Sequence, residues 1–70
     1  SEKLSALLNY LNVLDERELK IISLRFGLNN GNEYTQKEIS KMYNISRSYV
    51  SRIEKRALTK LLSEFKKNNF

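Results

Sequence analysis

The sequence predicts an all-α fold, a compact four-helix domain ending in a helix-turn-helix that is winged-helix-like but lacks a wing. Three observations support this prediction. The 70 residues include no Pro and only two Gly, apolar residues recur at helical spacing, and the segments between helices carry capping residues. So short a chain forms one domain with a small core, here residues 1–70. Because the chain begins with Ser, we expect it to be part of a larger protein.

Four helices are predicted, at about 2–12, 16–26, 36–43 and 47–66. The first has leucines at helical spacing, namely Leu4, Leu7, Leu8 and Leu11. The second has an apolar face of Leu19, Ile22 and Phe26, and Gly27 suits the left-handed residue that ends a helix. Residues 28–34 are polar and rich in turn formers, so they form the one longer loop.

Two helix starts have the spacing of a capping box. In this motif, the side chains of the capping residue and of a glutamate three residues later each accept a hydrogen bond from the other residue's backbone N–H. The pairs are Asp15 with Glu18 and Thr35 with Glu38. Asn44 suits the turn before the last helix because Asn tolerates positive φ, and Ser46 can cap that helix.

Residues 35–58 have the spacing of a DNA-binding helix-turn-helix, a motif whose two helices cross steeply over a small shared core. The inward positions are apolar: Ile39, Ile45, Val50 and Ile53. Ser40 is small enough to let the second helix approach. Each offset alone is weak evidence, but together with the caps and the Asn44 turn they predict the motif strongly.

The last helix separates into two faces at about 100° per residue. The predicted buried stripe is Val50, Ile53, Ala57, Leu61 and Phe65. The opposite side carries Ser48, Arg52, Lys55 and Thr59.

Charge is distributed unevenly along the chain. Residues 1–34 carry four basic and five acidic side chains, a net charge of −1, whereas residues 35–70 carry nine basic and three acidic ones, a net charge of +6. Together they give the total of +5. A positive field on the half that contains the helix-turn-helix favours polyanion binding. Solvated lysines on a helix surface are the alternative interpretation.

Composition argues against several other function classes. With no Cys and no His, the chain lacks disulfides, the usual zinc ligands and the usual general base, so we predict no enzyme activity, no metal and no cofactor. No apolar run approaches the roughly 20 residues of a membrane span. We therefore expect a soluble cytoplasmic protein associated with the nucleoid.

The start of the last helix supplies the candidate DNA-reading residues. The N-terminal part of a recognition helix enters the major groove, where Arg can read guanine with two hydrogen bonds and Ser or Tyr can reach bases or phosphates. The residues in its first turns are Arg47, Ser48, Tyr49, Ser51 and Arg52. A helix N-terminus is also a ready phosphate site, which makes Thr35, Gln36 and Lys37 candidates for DNA-backbone contacts.

Glu54 lies within the edge of the predicted apolar stripe. A buried carboxylate needs a partner, and Arg25, near the end of the second helix, is the unused candidate. We hypothesise an Arg25–Glu54 ion pair that fastens the last helix to the first half of the domain.

Two segments carry a family resemblance. LDERELKIISLRFGL at 14–28, followed by TQKEIS at 35–40 and NISRSYVSRIEKRAL at 44–58, resembles region 4 of bacterial primary-type sigma factors. The likeness covers about residues 14–65, and LRFGL and SRIEKRAL are both characteristic. Within the family, the last helix is most similar to that of the sporulation sigma factors of the sigma-K and sigma-E types.

The resemblance implies a domain that binds the promoter −35 element within RNA polymerase holoenzyme and so directs transcription initiation, here of sporulation genes. It implies major-groove contacts at Arg47, Ser48, Tyr49, Ser51 and Arg52, with DNA-backbone contacts near Thr35, Gln36 and Lys55. Primary sigma factors carry more charged residues at the positions of Ser48 and Tyr49, so a different −35 sequence is expected.

The resemblance also implies docking of the domain on the β flap of the polymerase core. The apolar residues of the first two helices would supply the groove, with Leu7, Leu11, Ile22 and Phe26 as candidates, although core packing is the simpler role for each. Anti-sigma and activator proteins are further possible partners, and the isolated domain is expected to be monomeric.

Two other interpretations stay open from the sequence. One is a stand-alone helix-turn-helix transcriptional regulator, or a response-regulator output domain, that binds an operator as a dimer. The other is a helical interaction module that uses the same scaffold without DNA. LRFGL and the capped loop before Thr35 favour the sigma-factor interpretation over the first, and the basic second half of the chain argues against the second.

Overall fold

The computed structural model describes residues 9–69, with side chains described to Lys67. Three helices follow one another: α1 over Glu16–Phe26, α2 over Gln36–Tyr43 and α3 over Arg47–Asn69. Residues 9–11 are also helical, and residues 2–8 of the predicted first helix lie outside the described residues. The described part of the chain contains no strand, which confirms the all-α prediction. Helix α3 runs to Asn69 rather than ending near 66, because neither Gly nor Pro interrupts it.

The helix starts are stabilised by the capping side chains that the sequence suggests. Asp15 Oδ1 accepts a hydrogen bond from Glu18 N at 2.8 Å, and Glu18 Oε1 accepts one from Asp15 N at 2.9 Å. Thr35 and Glu38 form the equivalent pair at α2. Ser46 Oγ accepts from the third N–H of α3 at 3.0 Å. These bonds satisfy N–H groups that have no partner within the helix.

Left-handed residues end α1 and α2. Gly27 has a φ of 64°, and a Cβ at this position would lie 2.9 Å from the carbonyl carbon of Gly31. Glycine is therefore required both by the conformation and by the space. Asn44 has a φ of 53° and begins the tight turn that sends α3 across α2.

The core lies where the three helices meet. Its larger cluster joins all of them through Ile21, Ile39, Val50 and Ile53. A second cluster lies further along α3 and consists of Leu14, Ile22 and Ala57. Because the first cluster contains residues of both helix-turn-helix helices and of α1, packing fixes the orientation of the recognition helix relative to α1.

Two predicted faces are corrected by the structure. In α1, Ile22 is buried as predicted, but Leu19 and Phe26 are exposed, and the rest of the buried side consists of Glu18, Ile21 and Ser23. In α3, Phe65 is 43% exposed, because the helix extends beyond the core at that point; its ring contacts Tyr10, with 6.1 Å between the ring centroids.

Candidate nucleic-acid interface

The first turns of α3 present a polar, basic face to solvent. Val50, Ile53 and Ala57 anchor the opposite side of the helix in the core. This anchoring leaves one group of side chains exposed along the outer side: Arg47, Ser48, Ser51, Arg52 and Lys55. We call these five residues the reading face. The structure thus brings together five of the nine residues that the sequence suggested for DNA contact.

A basic cleft lies beside the reading face at the start of α2. Its walls come from all three helices and the N-cap residue, and they consist of Arg25, Thr35, Gln36, Lys37 and Arg47. Backbone N–H groups and the positive end of the helix dipole favour an anion at such a helix start. The cleft therefore combines three cationic side chains with a helix N-terminus and suits a phosphate of a nucleic-acid backbone.

Glu54 organises one wall of this cleft. Its Oε1 lies 2.8 Å from Arg25 Nε, the ion pair suggested from the sequence. Gln36 Nε2 donates to the same oxygen at 2.8 Å, and Arg25 Nη1 donates to the carbonyl oxygen of Tyr34 at 3.0 Å. The side-chain amide of Gln36 is thus engaged by Glu54, and this hydrogen bond fastens α2 to α3.

Tyr49 lies at the other edge of the reading face, next to an arginine that sequence reasoning missed. Arg17 of α1 donates a hydrogen bond from Nη1 to the Tyr49 hydroxyl. The guanidinium carbons of Arg17 and Arg52 lie 5.6 and 5.7 Å from the centroid of the Tyr49 ring. No local signal in the sequence marks Arg17, because it is 32 positions from Tyr49 and only the packing of α1 across α3 brings the two together.

Lys20 repeats this arrangement one turn further along α1. Its Nζ lies 5.0 Å from the centroid of the Tyr43 ring at the end of α2. Arg17, Lys20 and Arg52 line the same open groove, together with Asp15 and Glu16. Basic side chains therefore continue from the recognition helix onto α1, where Asp15 and Glu16 offset part of their charge, although the charge count placed the positive field in the second half of the chain.

The capping box at α2 also acts on the charge of Glu38. The Thr35 N–H and the Thr35 hydroxyl hold the pKa of the Glu38 carboxyl below its ordinary value. The carboxylate of Glu38 lies in the first turn of α2, where a negative charge is favourable. It stabilises the helix whose N-terminus forms the basic cleft.

The apolar residues considered for polymerase docking fall into different environments. Ile22 is 3% exposed and belongs to the core, whereas Phe26 is 46% exposed. Leu11 is partly buried against the second core cluster. Leu7 lies outside the described residues. Of the three that the structure describes, Phe26 offers the most accessible apolar surface.

Residues 9–69, the part of the chain that the structure describes, contain no group of three or more acidic, His or Cys side chains placed to hold a metal ion. No helix in that range combines the length and the apolar character needed to cross a membrane.

A capped short helix, a tight Asn turn and an anchored basic helix define this chain as a helix-turn-helix domain of the DNA-binding class. The model of the family described as sigma-70, region 4 matches residues 10–62. The chain belongs to that family, as its resemblance suggested.

Three known relatives of the chain are named as RNA polymerase sigma factors. The chain is 55% identical to the RNA polymerase sigma-28 factor of Bacillus thuringiensis subsp. kurstaki over 65 residues, which cover 93% of this chain and 27% of that protein. It is 59% identical to the RNA polymerase sigma-K factor of Bacillus subtilis (strain 168) over 56 residues, covering 80% and 19%. With the RNA polymerase sigma-E factor of Clostridium acetobutylicum it shares 49% over 61 residues, covering 87% and 26%. The chain thus spans about a quarter or less of the length of these relatives.

Proposed function

We propose that this chain is the promoter −35-binding domain of an RNA polymerase sigma factor and that it directs transcription initiation, without enzymatic activity. The observation that carries the proposal is the reading face. In a chain of the sigma-70 region 4 family, a helix anchored in the core presents Arg47 and Arg52 together with hydroxyl and ammonium groups. This is the chemistry required to read base edges in a major groove.

The proposed contacts follow from the two surfaces. Base contacts are assigned to the reading face near its N-terminus: Arg47, Ser48, Ser51 and Arg52. DNA-backbone contacts are assigned to the basic cleft and the flank of α3: the side chains of Thr35, Lys37 and Lys55, and the backbone N–H of Gln36, whose side chain is held by Glu54. With Arg47 shared between the reading face and the cleft, a phosphate held in the cleft fixes the register in which α3 meets the bases.

The proposed partners are promoter DNA and the core of RNA polymerase. The exposed Phe26 and the partly buried Leu11 support docking on the β flap, with residues 1–70 as one monomeric region 4 domain. A cytoplasmic location on the nucleoid follows from these partners. Relatives named sigma-K and sigma-E support the further proposal that the promoters served are those of sporulation genes.

Selection of random duplexes by the 70-residue chain tests the proposal. We expect enrichment of one short, non-palindromic element, since one recognition helix covers one half-site. Placing that element at −35 should then support run-off transcription by core polymerase with the full-length parent protein, and scrambling it should abolish the transcript. Enrichment of a palindrome would instead identify a dimeric operator-binding regulator.

A further inference from the structure

Tyr49 is turned away from the exposed side of α3. It is only partly exposed, and its ring packs against the core cluster that contains Ile21 and Val50. At the far end of the side chain, the hydroxyl accepts a hydrogen bond from Arg17. A side chain held both at its ring and at its hydroxyl is poorly placed to reach a base edge. The role of Tyr49 must therefore be sought among its protein contacts.

Of the residues that contact Tyr49, Arg52 is the one assigned to a base contact. The two residues are three positions apart and so are neighbours on the surface of α3. The guanidinium carbon of Arg52 lies 5.7 Å from the ring centroid, within the range of about 6 Å over which a ring attracts a cation. A guanidinium that rests on a ring keeps its in-plane N–H donors available for bidentate bonds.

We propose that Tyr49 is a positioning residue that fixes Arg52 for base reading, and that Arg17 in turn fixes Tyr49 from α1. The inference rests on the proposed DNA-binding function and deepens it. A restrained Arg52 loses less conformational entropy when it binds a base. This gain in binding free energy applies only to the base that can form both hydrogen bonds with the restrained guanidinium. Tyr49 therefore raises discrimination at one base pair more than it raises overall affinity.

A thermodynamic cycle on the 70-residue chain tests the proposal. Tyr49→Leu keeps an apolar side chain against the core but removes the ring, and Arg52→Ala identifies the base pair that Arg52 reads. We expect Tyr49→Leu to reduce discrimination at that base pair by about threefold to tenfold, the size of one cation–ring contact. The same substitution should have no further effect on discrimination in the Arg52→Ala background.

Two conservative variants separate the ring from the hydroxyl. Tyr49→Phe keeps the ring beside Arg52 but removes the acceptor for Arg17, so it should lower discrimination at that base pair measurably, but less than Tyr49→Leu does. Arg17→Met, which has no donor, should lower discrimination by the same factor as Tyr49→Phe, and combining the two should add nothing. Unchanged discrimination in Arg17→Met, or additive losses in the combined variant, would remove Arg17 from the proposal.

Three outcomes would overturn the positioning role itself. An equal loss from Tyr49→Leu with and without Arg52 would mean that Tyr49 contacts DNA directly. An equal loss on all duplexes, accompanied by a lower Tm, would mean that it serves only the fold. In the free protein, NMR should show ring-current upfield shifts of the Arg52 side-chain protons that vanish in Tyr49→Leu, and their absence from the wild-type chain would also refute the role. If the wild-type chain selects no duplex, the proposed function fails separately from this contact.

Discussion

Arg25 and Glu54, 29 positions apart in the sequence, form an ion pair with 2.8 Å between Nε and Oε1. The Glu54 side chain is 10% exposed, so solvent screens the pair only in part. Gln36 donates to the same oxygen. One carboxylate of the recognition helix therefore holds both the last turn of α1 and the first residue of α2.

Removing both partners of this ion pair in a double-mutant cycle should show that they are coupled. We expect Arg25→Met, Glu54→Gln and the double variant to give a coupling free energy of about 1.5–3 kcal/mol, the range for hydrogen bonds to charged groups. Urea unfolding measures it. Glu33→Gln, in the exposed loop, is the control and should leave the free energy of unfolding unchanged. A coupling indistinguishable from zero would mean that the ion pair does not fasten α3.

Lys60 should stabilise the domain through the buried carboxylate of Glu18. The two charged groups are 2.8 Å apart, and the Glu18 side chain is fully buried. Lys60→Met keeps the aliphatic stem but leaves that carboxylate with one fewer donor, so the free energy of unfolding should fall by about 1–3 kcal/mol. Lys66→Met, at an exposed position of the same helix, is the matched control. Equal stability of the two variants would contradict the prediction.

Glu38 should contribute to the acid sensitivity of the fold. Its pKa is lowered in the folded chain by the Thr35 N–H and hydroxyl, so the unfolded chain binds more protons as the pH falls. The stabilisation is therefore present above the ordinary pKa of a glutamate and is lost as the pH decreases through the lower, folded value.

Substituting Glu38→Gln should remove this contribution. We expect the variant to show a shallower fall of Tm than the wild type on acidification below the ordinary pKa of a glutamate, with the lower Tm at neutral pH. Thermal unfolding across the acid range measures both slopes, and Glu33→Gln serves as the control. Parallel curves for Glu38→Gln and the wild type would show that the cap bond does not depend on the charge.

Arg47 and Lys37 should affect DNA binding in different ways. Arg47→Ala should cost about 1–3 kcal/mol on the selected duplex and relax preference at one base pair, as expected for a lost bidentate contact. Lys37→Gln should weaken binding equally on all duplexes and make the slope of log K against log salt shallower by about 0.9. Fluorescence anisotropy over a salt series measures both effects.

The wild-type chain sets the reference for that comparison. If about five phosphates are neutralised, log K should fall with log salt at a slope of about −4.5. A uniform loss for Arg47→Ala would reassign it to the DNA backbone, and binding that does not respond to salt would contradict polyanion recognition altogether.

Local features of the sequence were sufficient to predict the secondary structure and the reading side of α3. Capping boxes at Asp15 and Thr35, the left-handed Gly27 and Asn44, and the inward positions of the helix-turn-helix depend on neighbours within a few residues. Such features act through short-range hydrogen bonds and backbone sterics, which the sequence records directly. The Arg25–Glu54 ion pair is the exception. Although its partners are far apart in the sequence, it could be predicted because Glu54 lies at the edge of an apolar stripe and a buried carboxylate needs a cationic partner.

The orientation of α1 could not be predicted in this way. Its apolar residues occur around much of the helix, so spacing favoured Leu19 and Phe26 for a face that packing instead gave to Ile21, beside a buried Glu18. No local pattern marks Lys60 either, because its partner Glu18 is 42 positions away in the sequence.

The sequence by itself determined where each helix begins, which family the chain resembles, and which side of the recognition helix is left free. Only the tertiary structure decided which face of α1 is buried and that Arg17 meets Tyr49 beside Arg52. The reason is physical: the periodicity of a helix is a property of one segment, whereas its rotation about its own axis is set by the side chains it packs against.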